Sequence, residues 1–253
     1  RLRNKIIFYT KYDYYVCVTN ELNTYLNKSN KPFLIIESFA NSEYLKLDNL
    51  LLDKYKKRVL IYAGGLYEEY GIKNLIDAFK TLEDPDLELW LFGVGPFTES
   101  IKSISLSNKN IHYKGVLSHE DLFEKLNKAT LLVNPRPTHG EYTKYSFPSK
   151  NLEYMSTGTP LLTTKLTGIP ADHYPYIYTI ESDDSQGIAL ALKKVLKQSR
   201  EEIHEFGLKA KMFVMKEKNN FKQAEKILSL INENWFMCGI AGIYNISEYR
   251  LID

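Results

Sequence analysis

The chain has 253 residues, 44% of them hydrophobic and 25% charged, with a formal net charge of +2. That composition suits a globular protein able to bury a core without metal or disulfide support, and so balanced a charge leaves no footprint for nucleic acid. The two cysteines, Cys17 and Cys238, lie too far apart in sequence to suggest a disulfide framework or a zinc site and fit a reducing compartment; no apolar run approaches the ~20 residues of a membrane span.

The chain opens at Arg1 without a signal peptide and ends at Asp253 just past a strand-like pattern, so both ends read as cuts. Tyr14–Thr19, Glu21–Leu26 and Phe33–Ser38 read as strand, helix and strand. They are too short for an independent domain, and residues 1–45 are expected to be the tail of a preceding one. Arg58–Ala63 (RVLIYA) is a β-rich run followed by Gly64–Gly65, then by helical spacing over Lys73–Leu82. Leu87–Phe92 is a second strand ended by Gly93–Val94–Gly95–Pro96, and Ile111–Lys114 a third. His119–Asn127 carries Leu122, Phe123 and Leu126 on one helical face, with Ser118 as N-cap. Thr130–Asn134 is a fourth strand, closed by Pro135–Arg136–Pro137.

A helix is expected from Pro148 to Thr157, since proline favours the first helical position and Gly158 the left-handed C-terminal one. Strands at Pro160–Thr164 and Tyr176–Ile180, then helices over Ser185–Gln198 and Glu201–Ile231, complete the pattern. Alternating strands and helices imply an α/β fold, a doubly wound parallel sheet over residues 57–231.

In such sheets ligands sit beyond the carboxyl ends of the strands. A helix start near Pro148 leaves the amides of Ser149, Lys150 and Asn151 unpaired, an anion site suited to a diphosphate. Lys150, Lys144 and Arg136 add charge, and Glu153, one turn in, stands where a carboxylate could accept ribose hydroxyls. Plainer readings stand beside these. Lys150 and Glu153 can form a solvated pair worth ~0.2–0.5 kcal/mol, Gly64–Gly65 can simply make a tight turn, and Lys144 and His139 can be ordinary surface residues.

Taken together, SFPSKNLEYMSTGTPLL, the upstream GGLYEEYGIKNLIDAF and the intervening LFGVGP resemble the C-terminal domain of family 4 glycosyltransferases. The likeness is strongest to a bacterial subgroup associated with cell-surface polysaccharides. It covers about Val59 to Ile231, and residues 1–45 resemble the last strands of the N-terminal domain of the same two-domain GT-B fold. The resemblance implies a retaining hexosyltransferase with no metal and no cofactor. Its partners would be a nucleotide diphosphate sugar, a glycan or lipid-linked acceptor and the missing N-terminal domain. The expected location is the cytoplasm, with peripheral attachment to the inner face of the membrane as its extension. By the same resemblance Glu153 holds the donor ribose, Gly93 and Gly95 lie beside the base, and Gly64 and Gly65 face the phosphates.

This sequence departs from the family pattern at three places: Tyr145 replaces the first acid of the Glu-x7-Glu motif, and Gly65 and Tyr70 replace the usual arginine and lysine. Arg136, Lys144 and Lys150 are expected to supply the missing charge. No catalytic group is assigned, Glu141 and Tyr145 being the candidates, and the isolated fragment is expected to bind donor without transferring sugar. The rival reading is a non-catalytic nucleotide-binding scaffold. A further tail, residues 232–253, contains Met237–Asn245 (MCGIAGIYN), which resembles the start of asparagine synthetases, glutamine amidotransferases with an N-terminal cysteine nucleophile. Cys238 would be that cysteine, but its nitrogen is inside a peptide bond, so no glutaminase activity is expected. A gene junction, a true fusion and a chance strand are the three accounts of this tail.

Overall fold

A computed structural model describes residues 12–233 and the backbone of residues 242–243, less the side chains of Leu45 and Glu141. Its centre is a six-stranded sheet, formed by β3 (Arg58–Ala63), β4 (Leu87–Phe92), β5 (Ile111–Gly115), β6 (Leu131–Asn134), β7 (Leu161–Thr164) and β8 (Tyr178–Ile180). The order is β5-β4-β3-β6-β7-β8, with every pairing parallel. The fold class is therefore the α/β one expected from the sequence.

Period-two alternation along β3 divides the core. Leu60 and Tyr62 face one layer, where they meet Leu75, Ile76, Leu89 and Leu192; Val59, Ile61 and Ala63 face the other, with Leu126, Leu152, Met155 and Val214. Each fully buried aliphatic side chain stabilises the fold by about 1.5–3 kcal/mol. The first layer contains helices α2 (Ile72–Lys80), α3 (Thr98–Ser107) and α6 (Ser185–Leu196); the second contains α4 (His119–Lys128), α5 (Lys150–Ser156) and α7 (Arg200–Glu217).

Three sequence expectations need correction. Helix α3 has no counterpart among them, because its serine-rich stretch TESIKSISLS buries only Ile101 and gives little apolar periodicity. The expected helix from Pro148 to Thr157 is shorter, spanning Lys150–Ser156. The single long helix expected over Glu201–Ile231 is two, α7 and α8 (Asn220–Glu233). Helix α7 starts with a capping box, in which Ser199 Oγ accepts from Glu202 N at 3.1 Å and Ser199 N donates to Glu202 Oε2 at 2.8 Å. It stops at Lys218, whose ammonium turns inward to Glu37 at 2.5 Å and Asp172 at 2.8 Å.

That ammonium lies where Glu37, Asp172 and His173 converge. It pairs with both carboxylates, so the cluster is an ionic network with its cation already in place rather than an open metal-ligand set. Burial pushes the His173 imidazole below its ordinary value, and Lys218 holds the Asp172 carboxyl low against the upward pull of burial. The network ties the N-terminal segment to the sheet domain. In that segment α1 (Asn20–Leu26) connects the parallel strands β1 (Tyr15–Cys17) and β2 (Phe33–Ile35). The backbone of β9 (Gly242–Ile243) pairs with the other edge of β1. Apart from Asn232 and Glu233, which end α8, the rest of the tail, including Cys238, lies outside the described residues. No described helix is long and apolar enough to cross a membrane.

Candidate functional site

Strands β3 and β6 are neighbours at the centre of the sheet, and the chain leaves them in opposite directions, toward β4 and toward β7. A crevice opens at such a switch point beyond the strand ends. Two polar clusters fix its floor. The fully buried Tyr154 accepts from Ala63 N at 2.8 Å and donates to Ala63 O at 2.9 Å, pinning the last residue of β3 to α5. Asn134, the last residue of β6, donates to Asn151 Oδ1 at 2.7 Å while its carbonyl accepts from Thr163 Oγ1 at 3.0 Å.

The glycine turns pack backbone to backbone. Gly93 follows β4 with φ +126°, and a Cβ there would fall 1.8 Å from the carbonyl oxygen of Gly64. Only glycine tolerates both the angle and the approach. Gly95 lies against the Leu66 carbonyl. Gly64 and Gly65 are overlaid by side chains: a Cβ on Gly64 would stand 3.0 Å from Lys150 Cε, and one on Gly65 2.9 Å from the Tyr67 ring.

Beyond the end of β6 and the start of α5 lies a cleft of about 730 Å³, lined by Arg136 and Lys150 together with Tyr70, Tyr145, Ser149 and Leu166, among others; Gly64, Gly65, Gly93, Gly95 and Glu153 are not among its lining residues. No carboxylate lines it among the described side chains. The Arg136 guanidinium carbon stands 4.2 Å from the centre of the Tyr70 ring, an arrangement in which the ring face attracts the cation. Burial pushes the Tyr62 hydroxyl up, with Arg136 pulling it partly back, and this hydroxyl donates to Gly65 O at 2.9 Å. The amides of Ser149 and Lys150 find no acceptor among the described residues, whereas Asn151 N donates to Pro148 O at 2.8 Å. The expected trio of free amides is thus a pair, because the helix begins with a tight turn.

Other candidates separate. Lys144 and His139 are exposed outside the cleft lining. Glu141 belongs to the 3-10 turn Glu141–Lys144, with its side chain outside the described residues. Tyr145 meets Tyr25 of α1, with ring centres 5.8 Å apart. Lys150 and Glu153 point apart: Lys150 reaches over Gly64, while Glu153 Oε1 lies 3.4 Å from His119 Nε2 at the start of α4. Sequence reasoning missed Asn134 in the cleft lining and His119 beside Glu153, and named Tyr70 only for the lysine it replaces. Asn134 carried a usable signal, being a polar residue at the carboxyl end of a buried strand; His119 carried none beyond opening a helix.

Residues 57–198, more than half of the chain, match the family model described as glycosyl transferases group 1. The chain belongs to that family. Solved structures agree on the fold. Sucrose-phosphate synthase from Thermosynechococcus elongatus is 17% identical, with 93% of this chain and 61% of that one covered at a TM-score of 0.71. HepE from Anabaena, in complex with UDP, is 15% identical, with 86% and 63% covered at a TM-score of 0.66. WaaG, a glycosyltransferase involved in lipopolysaccharide biosynthesis, is 17% identical, with 85% and 62% covered at 0.63. This group 1 glycosyltransferase chain thus spans about three-fifths of each of these structures. A search of curated proteins gives no match.

Proposed function

We propose that this chain is the donor-binding part of a retaining hexosyltransferase, which takes sugar from a nucleoside diphosphate and passes it to a glycan or lipid-linked acceptor. The observation that carries this reading is the cleft at the switch point, where two cations and two free amides converge with no described carboxylate among them. Two phosphates in a partly dry cleft need cationic partners, since unpaired buried charge is costly. Arg136 and Lys150 are those partners, in place of the usual arginine and lysine replaced by Gly65 and Tyr70. Stabilising the leaving diphosphate lowers the barrier to breaking the glycosidic bond. Glu153 serves the ribose, the Gly93–Pro96 turn lies beside the base, and the acceptor is supplied from the rest of a longer two-domain protein. UDP bound by a structure of the same fold supports the donor class. The reaction belongs to the cytoplasm, a placement supported by the free, buried Cys17.

One observation favours a binding scaffold instead: Lys150 and the Tyr67 and Tyr70 rings lie over the glycine turns, where phosphates would approach. Calorimetric titration with uridine, guanosine, adenosine and thymidine diphosphates and their sugars decides the matter. The donor reading expects one nucleotide to bind tightly and Arg136→Ala or Lys150→Ala to weaken it about tenfold or more, the loss of a charged hydrogen bond. Indifference to the whole panel sinks it. Nucleotide binding without sugar hydrolysis or transfer, even after the missing domain is restored, favours the scaffold.

A further inference from the structure

Between β2 and β3 the chain runs beside α7, and over residues 47–54 its polarity is reversed. Asn49 is buried and donates to Thr157 O at 2.7 Å and to Thr159 Oγ1 at 3.3 Å. Lys54 turns its ammonium inward, to Asn127 O at 2.6 Å and Thr159 Oγ1 at 2.9 Å. The carbonyls of Asn127 and Thr157 lie at the ends of α4 and α5, where helices leave acceptors without partners. Polar side chains are drawn inward to serve them. Leu47, Leu50 and Leu52 are left facing solvent, with Leu52 95% exposed.

The segment is pinned in this arrangement. Lys211 of α7 donates to Leu47 O, and Arg200, which opens α7, donates to Lys56 O at 3.0 Å and to Tyr55 O. The 3-10 turn Leu51–Asp53 between these anchors packs on the same helix. Met212, next to Lys211 on α7, is 72% exposed and extends the apolar strip onto the helix.

A contiguous apolar surface of this kind marks a contact site, and the charges around it indicate the partner. Three acids, Asp48, Asp53 and Glu205, and three lysines, Lys56, Lys209 and Lys211, border the strip. None of the six belongs to an ion pair among the described residues. A surface for anionic lipid would carry an excess of lysine. This one is balanced and can complement itself. A two-fold axis through the strip sets leucine against leucine, and the acids of one copy against the lysines of the other.

We infer that Leu47, Leu50, Leu52 and Met212 form the apolar centre of a two-fold contact between two copies of this chain. Asn127 and Thr159, to which the segment is tied, precede β6 and β7, whereas the cleft lies beyond the carboxyl end of β6. A dimer joined here leaves both clefts open.

The test is sedimentation equilibrium of the 253-residue chain, with circular dichroism and thermal unfolding as controls for folding. Wild type is expected to pass from a 29.4 kDa monomer to a dimer over about 1–100 μM, the weak end of the range for protein interfaces. Leu52→Asp on the turn and Met212→Asp on α7 should each raise the dissociation constant about tenfold or more. Leu190→Asp, which changes a leucine 69% exposed on α6, should leave it unchanged. A monomer at every concentration overturns the inference. So does a dimer that Leu52→Asp and Met212→Asp leave intact, which lies on another surface, or one that Leu190→Asp weakens as much, which is unspecific adhesion. A wild type that stays monomeric yet sediments with phosphatidylglycerol vesicles, and loses that binding in Leu52→Asp, assigns the strip to a membrane and overturns it as well.

Discussion

The Arg136 guanidinium lies over the Tyr70 ring, its central carbon 4.2 Å from the ring centre, so the residue that replaces a family lysine now holds a cation from the other side of the crevice. A contact of this kind is worth about 0.5–1 kcal/mol where partly exposed. Tyr70→Leu should therefore weaken nucleoside diphosphate binding about two- to fivefold, and Arg136→Ala about tenfold or more. In the double variant the Tyr70 effect should vanish, since the ring then has no cation to orient. Independent, additive effects in calorimetry would show that the stack does not serve the ligand.

Gly93→Ala should destabilise the fold by about 3 kcal/mol or more, because a Cβ would fall 1.8 Å from Gly64 O at a φ of +126°. Chemical denaturation measures this. Gly115→Ala is the control, since it has a positive φ of 73° but open space around its Cβ position; it should cost only the backbone strain, about 1 kcal/mol.

Tyr154→Phe removes one hydroxyl and strands two backbone groups, Ala63 N and Ala63 O, in the core. Each unsatisfied buried group costs about 1–3 kcal/mol. A loss of about 2–4 kcal/mol in denaturant midpoint analysis is expected, with the cleft loosened at the end of β3. A loss near zero would mean that water or a neighbour takes over both partners.

Stability should rise with pH from mildly acidic to mildly alkaline conditions. Burial pushes the Lys54 ammonium down to about 7, against about 10.4 in the unfolded chain. Between those values the unfolded state holds a proton that the folded state has released, so stability climbs through that window, while below about 7 the cost of the buried charge is fully present. His173, lowered by burial, adds the same sign on the acid side, where stability falls as pH drops below about 6.5. Lys54→Met should flatten the alkaline limb of a midpoint-against-pH curve; an unchanged slope would show that Lys54 stays protonated when folded.

Sequence by itself determined the sheet and its chemical edge. The runs RVLIYA, LELWLF and TLLVN are buried strands in any fold that forms, and the turns after them collect glycine, proline and Arg136 at one end because parallel crossovers send every strand the same way. Helix α3 escaped because serine leaves no periodic signal; the break after α7 carried a local signal, since Asn219 Oδ1 accepts from Lys222 N at 2.9 Å and caps α8, while the pairing of Lys218 with Glu37 and Asp172 joins residues far apart in the chain. The partners at the site were illegible for the same reason. Lys150 and Glu153 are three residues apart and invite pairing, yet tertiary packing sends one over Gly64 and the other to His119, 34 positions earlier in the sequence. Local spacing fixes which helical face a side chain leaves from; only the packing of α4 against α5 decides what it meets there.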